Sequence, residues 1–171
     1  GATLLEVYNG GGASKKMDGG PGRFTYEQIW DGVLSAGRVI YGVATDDAHK
    51  YGVNPNPDPA HPGTGWVMVR AIELSAKAII TALASGDFYA STGVTLKELE
   101  ASRECVHVEV EEVGDYVYIT QFVGRDGKVL AEVVGPDATY RPRGDEGYVR
   151  AVVSIASSKG TRAWTQPVFL E

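Results

Sequence analysis

The chain has 171 residues, 43% of them hydrophobic and 22% charged, with a formal net charge of −6 and no basic run longer than Lys15-Lys16. That length carries one ordinary domain or two small ones, and the charge excludes the cationic surface that a nucleic-acid backbone requires. No apolar run approaches the roughly 20 residues of a membrane-spanning helix, so neither nucleic acid nor membrane is expected as a partner.

Residues 4–8, Leu-Leu-Glu-Val-Tyr, are an apolar run too short for a helix and closed by Asn9-Gly10-Gly11-Gly12, which predicts a strand. Almost nothing precedes it, so the chain reads as beginning in mid-fold. The glycine-rich stretch to Arg23 has no apolar face to bury and is expected to be a flexible loop or a lid. Thr25 and Gln28 have capping-box spacing, and Ile29, Trp30, Val33 and Leu34 recur at helical period up to Gly37, which predicts an amphipathic helix. Residues 39–44 are continuously apolar, as expected of a parallel strand covered on both faces. Residues 4–44 therefore read as a β-α-β crossover unit of a doubly wound sheet or a β/α barrel.

Four prolines between 55 and 62 make the next segment a loop. Residues 66–70 predict a short strand, and Ser75 a cap for a helix over 76–85 that Gly86 terminates, with Leu74 and Ile79 as a hydrophobic staple. Past Phe88 the period changes to two. Alternating runs at 106–110, 116–122, 128–134, 148–155 and 162–170, separated by Val113-Gly114-Asp115, Arg125-Asp126-Gly127 and Ser158-Lys159-Gly160, predict five or six antiparallel strands joined by hairpin turns. The expected class is α/β plus all-β, with an α/β unit over 1–100 and a small antiparallel β-sandwich over 101–171.

Ligands of parallel-strand folds bind beyond the carboxyl ends of the strands. Two such points exist here, at 6–9 and at 45–49. The second carries Asp46, Asp47 and His49 within four residues, and carboxylate with imidazole is a ligand set for Zn, Mn or Fe that leaves positions open for water. In an extended segment the i, i+2 spacing of Asp47 and His49 would point both to one side. The bland reading is a capping aspartate followed by a solvated histidine; four polar residues within five positions, Thr45, Asp46, Asp47 and His49, directly after a buried strand favour a site.

Other candidates are weaker. His61 in the proline-rich loop and His107 on an outward strand face read as solvated, and Trp66 and Trp164 as core. Ser91-Thr92-Gly93 lacks the nucleophile elbow, and the glycine run lacks the Gly-Lys-Ser/Thr ending of a phosphate loop. Cys105 reads as a small buried apolar side chain, since its neighbours Glu104 and Glu109 are the opposite of the electropositive setting a reactive thiolate needs.

Four ordered segments, Leu4-Leu5-Glu6-Val7-Tyr8-Asn9, Gly42-Val43-Ala44-Thr45-Asp46-Asp47-Ala48-His49, Gly63-Thr64-Gly65-Trp66 and Gly86-Asp87-Phe88-Tyr89-Ala90-Ser91-Thr92-Gly93, together resemble the C-terminal part of a PHP-family (polymerase and histidinol phosphatase) metal-dependent phosphoesterase, over about residues 3–95. The sandwich resembles the β-rich tail of some members. The resemblance implies the terminal portion of a distorted β/α barrel, divalent metal ions as cofactors and a phosphoester substrate. The family's last metal motif, Asp-x-His, falls on Asp47 and His49; Asp46 is implied as a second-layer residue, and Glu6 and Asn9 as site-lining. The upstream histidine and acidic ligands of the family have no counterpart here, and Gly11-Gly12 follow the Asn9-Gly10 step where related members often carry His-Pro. The expectation is a C-terminal fragment, inactive alone, that self-associates or associates with a missing N-terminal half. The competing expectation is a non-catalytic binding or scaffold module whose sandwich recognises a protein or glycan.

Overall fold

A computed structural model of the chain describes residues 2–11, 22–49, 51, 61–158 and 160–170. The expectations for the glycine-rich loop at 12–21 and for most of the proline-rich loop lie outside the described residues. The described residues form a mixed α/β structure with two α-helices, mostly antiparallel sheets, one small parallel pair and no closed barrel among them. No helix among the described residues is long and apolar enough to cross a membrane.

Strand β1 (Leu4–Asn9) pairs in parallel with β2 (Tyr41–Thr45), and helix α1 (Tyr26–Ser35) crosses between them. The capping box forms: the Thr25 hydroxyl accepts from the Gln28 amide at 3.1 Å, and the Gln28 side chain accepts from the Thr25 amide at 2.8 Å. Two of the orphan donors at the helix start are thereby satisfied. Helix α2 (Ala76–Ser85) has the predicted Ser75 cap and ends at Gly86, whose φ of 81° is left-handed. The expected staple does not form. Leu74 is 96% exposed, because α2 buries only Ala82 and offers no hollow to hold it.

Strands β3 (Trp66–Val69), β4 (Phe88–Ser91), β7 (Tyr118–Val123), β8 (Val129–Val134), β10 (Tyr148–Ile155), β11 (Arg162–Thr165) and β12 (Val168–Phe169) make a seven-stranded sheet in the order β3-β4-β11-β10-β7-β8, with β12 added beside β10. Strands β5 (Leu96–Ala101), β6 (Val106–Val110) and β9 (Asp137–Tyr140) form a separate sheet. Only two of the three expected hairpin turns lie between paired strands, β7–β8 and β10–β11. The turn at 113–115 instead carries the chain from the small sheet to the large one. The run at 162–170 is broken at Gln166-Pro167, where the proline cannot donate to a ladder.

Alternation on β10 explains the layering. Val149, Ala151, Val153 and Ile155 share one core with Leu96 of β5, Val106, Val108 and Val110 of β6 and Ala138 of β9. Tyr148 and Val152 face the other way, into a second core with Val7, Trp30, Leu34 and Ala44. The large sheet is thus covered by the small sheet on one side and by the β1-α1-β2 unit on the other. Both faces being buried, β10 carries almost no exposed position. By contrast β2, expected to be covered on both faces, alternates between buried and half-buried residues, and Val39 before it is 55% exposed.

Two polar devices hold the layers. Arg150, 1% exposed, donates from Nε and Nη2 to the Asp31 carboxylate at 2.9 and 2.8 Å, and Tyr148 donates to the same carboxylate at 2.8 Å. The guanidinium also lies 4.7 Å from the Trp30 ring, a cation–π distance. Burial alone would ease the proton off Arg150, but Asp31 and Glu27 outweigh it and hold the side chain charged; burial and the Asp31 hydrogen bond push the Tyr148 hydroxyl up. The second device is Gln166, whose amide accepts from Gly42 N at 2.8 Å and donates to Gly42 O at 2.9 Å. A side chain stands in there for the next strand beside β2.

Glu146 organises the turn before β10. Its carboxylate accepts from the Arg143 and Gly144 amides, each at 2.8 Å, and from the Tyr140 hydroxyl at 2.7 Å. Burial opposes its ionisation, but these donors prevail and lower its pKa from the usual 4.5 to about 2, while Tyr140 is pushed up to about 12. A carboxylate with a depressed folded-state pKa contributes stability that is fully present above its unfolded value and lost as pH falls through the folded one. Acid titration followed by circular dichroism should therefore show stability draining between about pH 4.5 and 2, and Glu146→Gln should be less stable at neutral pH and flatter across that window. An identical acid profile in the variant would remove Glu146 from this role.

Candidate functional site

The carboxyl ends of β1 and β2 meet because the two strands run parallel and, past a register shift between Glu6 and Tyr8, set Asn9 opposite Thr45. Gly10 N donates to Thr45 O at 2.8 Å and extends the ladder by one bond. Backbones crowd here: a Cβ on Gly65 would lie 2.8 Å from both Thr45 O and the Tyr8 ring. A Cβ on Gly11 would collide with the Asp47 carboxylate. Glycine at these positions lets the Asp46–His49 turn sit directly on the strand ends.

Within that turn each polar residue has a definite place. Asp46 is a brace: its Oδ1 accepts from Ala48 N at 3.3 Å and its Oδ2 from Gly63 N at 3.0 Å, tying the turn to the segment that leads into β3. Asp47 is left-handed, with φ 51°, a conformation that aspartate tolerates better than most side chains. The turn is therefore not extended as expected. Asp47 and His49 nevertheless meet, because the reversal folds the ring back: His49 Nδ1 lies 2.6 Å from Asp47 O and Nε2 lies 3.7 Å from Asp47 Oδ1.

A carbonyl oxygen can only accept, so Nδ1 donates to Asp47 O and Nε2 is the ring nitrogen left toward the Asp47 carboxylate. Either a proton on Nε2 or a cation between the two atoms would join them. A zinc-class ion takes imidazole nitrogen and carboxylate oxygen at about 2.1 Å each, so atoms 3.7 Å apart can share one ion at an obtuse angle. The pair thus fits a divalent ion as part of a ligand set. Among the described residues no group of three or more His, Cys, Asp or Glu side chains is placed to hold a metal. The side chains of His49 and Asp47 are 74% and 43% exposed, so their contact adds little to folding stability.

Glu6 and Asn9 lie beside this turn and brace the strand ends. Glu6 Oε1 accepts from the Thr45 hydroxyl at 2.6 Å and Oε2 from Asn9 Nδ2 at 3.2 Å, while Asn9 Oδ1 accepts from Gly11 N at 2.8 Å. Thr45, Gly11 and Gly63 take part in the same bracing. Their residue types carry no metal-site chemistry; their marks in the sequence are the segments that carry the resemblance and the glycine density on either side of the acidic turn. His61 is exposed, and its carbonyl accepts from the Thr64 hydroxyl at 3.2 Å. His107 is partly exposed, 3.4 Å from Asp137; Trp164 is core, whereas Trp66 is only half-buried. Cys105 is buried. No family model matches the chain, and neither a curated protein nor a solved structure matches it.

Proposed function

We propose that the chain is the C-terminal portion of a metal-dependent phosphoesterase of the PHP type: the last β-α-β turn of an incomplete, distorted β/α barrel followed by a β-sandwich. The observation that carries this reading is the convergence of His49 Nε2 and Asp47 Oδ1, 3.7 Å apart, at the carboxyl ends of parallel strands. Asp47 and His49 are the ligands. Asp46 holds their turn against Gly63, and Glu6 and Asn9 brace the strand ends. A divalent ion held there would supply Lewis acidity toward a phosphoester and a water acidic enough to ionise near neutral pH. What these residues do themselves is bind and orient: Nδ1–H fixes the imidazole tautomer and Gly11 walls the carboxylate.

Structural and catalytic zinc sites use three or four protein ligands. With two among the described residues, the chain alone binds weakly and turns over no phosphoester; activity requires further ligands from an associated polypeptide, either a second copy or an N-terminal half. Titration with Zn²⁺ or Mn²⁺ by calorimetry checks the reading. Wild-type chain should bind weakly, and Asp47→Ala and His49→Ala should each reduce affinity at least tenfold. Affinity unchanged by either substitution would favour the competing reading, a scaffold module. That reading rests on the groove of about 360 Å³ lined by Met68, Arg70, Phe88, Leu99 and Val168, large enough for a sugar or a peptide side chain.

A further inference from the structure

The chain has three asparagines. Asn54 and Asn56 each precede a proline, and Asn9 alone precedes a glycine. In an Asn-Gly pair the glycine amide nitrogen can attack the asparagine Cγ, because no Cβ hinders its approach. The C–N bond that forms closes a five-membered succinimide and ammonia leaves with the former side-chain nitrogen; water then opens the ring at either carbonyl, leaving aspartate or isoaspartate. No oxidant or other co-reactant is required. Proline offers no N–H for this step, so Asn9 is the one position in the chain with the favourable sequence.

The structure closes that route at three points. Gly10 N, the attacking atom, has its hydrogen committed to Thr45 O at 2.8 Å. The Asn9 side chain is held at both ends, Oδ1 by Gly11 N at 2.8 Å and Nδ2 by Glu6 Oε2 at 3.2 Å. Gly10 cannot swing toward Cγ either, being wedged where a Cβ would clash with the Thr64 hydroxyl and lie 3.0 Å from Asp46 O. The side-chain bonds lie within residues 6–11, but the other two restraints, the Gly10 hydrogen bond and the wedging of Gly10, depend on β1 staying paired with β2 and on the 46–49 and 63–65 turns staying docked.

We infer that Asn9 is a conformation-gated deamidation site, kept closed by the β1–β2 pair and opened by its separation. Conversion replaces the amide donor facing Glu6 with a carboxylate 3.2 Å from another carboxylate, so a chain that has opened once and reacted re-forms β1–β2 less readily. The gate then records past unfolding as a charge change beside the candidate site. This inference stands apart from the metal reading, since nothing in it requires a bound ion.

The test is mass spectrometry of the full chain incubated at pH 8 and 37 °C in buffer and in 8 M urea, with peptide mapping of the roughly 1 Da gain. Conversion at Asn9 at least tenfold slower in buffer than in urea, with the rate across intermediate urea tracking the unfolded fraction, is the expected result. Equal rates in the two conditions overturn the inference, and so does the absence of conversion at Asn9 in urea. Asn9→Asp, which makes one of the two products directly, should unfold at lower urea than wild type; an unchanged midpoint would remove the consequence drawn for refolding.

Discussion

Replacing Arg150 with methionine is expected to destabilise the chain by about 3–5 kcal/mol. The guanidinium is 1% exposed and lies between Trp30 and the Asp31 carboxylate, which is itself buried. Removing the cation leaves the buried Asp31 carboxyl group with the Tyr148 hydroxyl, at 2.8 Å, as its remaining side-chain donor among the described residues. The pair is not a net source of stability against an all-apolar alternative, because desolvating both ions offsets most of their attraction. Accordingly the double variant Arg150→Met/Asp31→Leu should recover most of the loss. Urea unfolding of the wild type, both single variants and the double variant gives the coupling directly. A single-variant loss under about 1 kcal/mol would place the pair among ordinary surface contacts, which its burial contradicts.

The pair also explains why the two sequence units fold as one body. Asp31 sits on α1 and Arg150 on β10, 119 residues apart, and the second core joins Trp30 and Leu34 to Tyr148, Val152 and Trp164. Nothing local marks either residue. Asp31 reads as a polar position on an amphipathic helix, and Arg150 as an outward residue of an alternating strand. Because both faces of β10 are buried, the polar positions of its alternation do not mark solvent, as they would on a half-covered strand.

What was legible was local. Both helices were readable from their caps, because a capping box and a left-handed glycine act within four residues. Strands β6, β7, β8 and β10 were readable because one or both of their faces are apolar. Strands β4, β5 and β9 were not. Leu96 and Leu99 of β5 stand at i, i+3 amid charged residues, a helical spacing, and become a strand only through pairing with β6 at the sheet edge. Strand β9 has four residues and begins with aspartate; it exists because Val106 and Val108 offer it a ladder. Partner choice of this kind is nonlocal, which is also why the turn at 113–115 crosses between sheets. In the candidate site the residue types were legible and their geometry was not: a left-handed Asp47 and a ring folded back on its carbonyl come from crowding by Gly10, Gly11 and Gly65, each remote from the turn in sequence or masked by its lack of a side chain.

Gln166→Leu should cost about 2–5 kcal/mol, since it strips partners from two buried backbone groups at Gly42, each worth about 1–3 kcal/mol when left unsatisfied. Leucine keeps the volume but has nothing to donate or accept. The loss would fall on β2 before it reached the rest of the fold. Hydrogen exchange should show the amides of residues 41–45 and their β1 partners opening at lower free energy than those of β7 and β10, with wild-type exchange more uniform across the four strands. Gln166→Glu separates the two roles of the amide. It keeps an acceptor for Gly42 N but brings no donor to Gly42 O and adds a charge in a buried position, so it should be at least as damaging as leucine. Because Gly10 is closed only while β1 remains on β2, the leucine variant should also convert Asn9 faster than wild type in buffer without denaturant. Slower exchange at β2 than at β10 in that variant would mean that the parallel pair is held by its apolar contacts with Trp30 and Val7, and that the side chain of Gln166 follows the sheet rather than securing it.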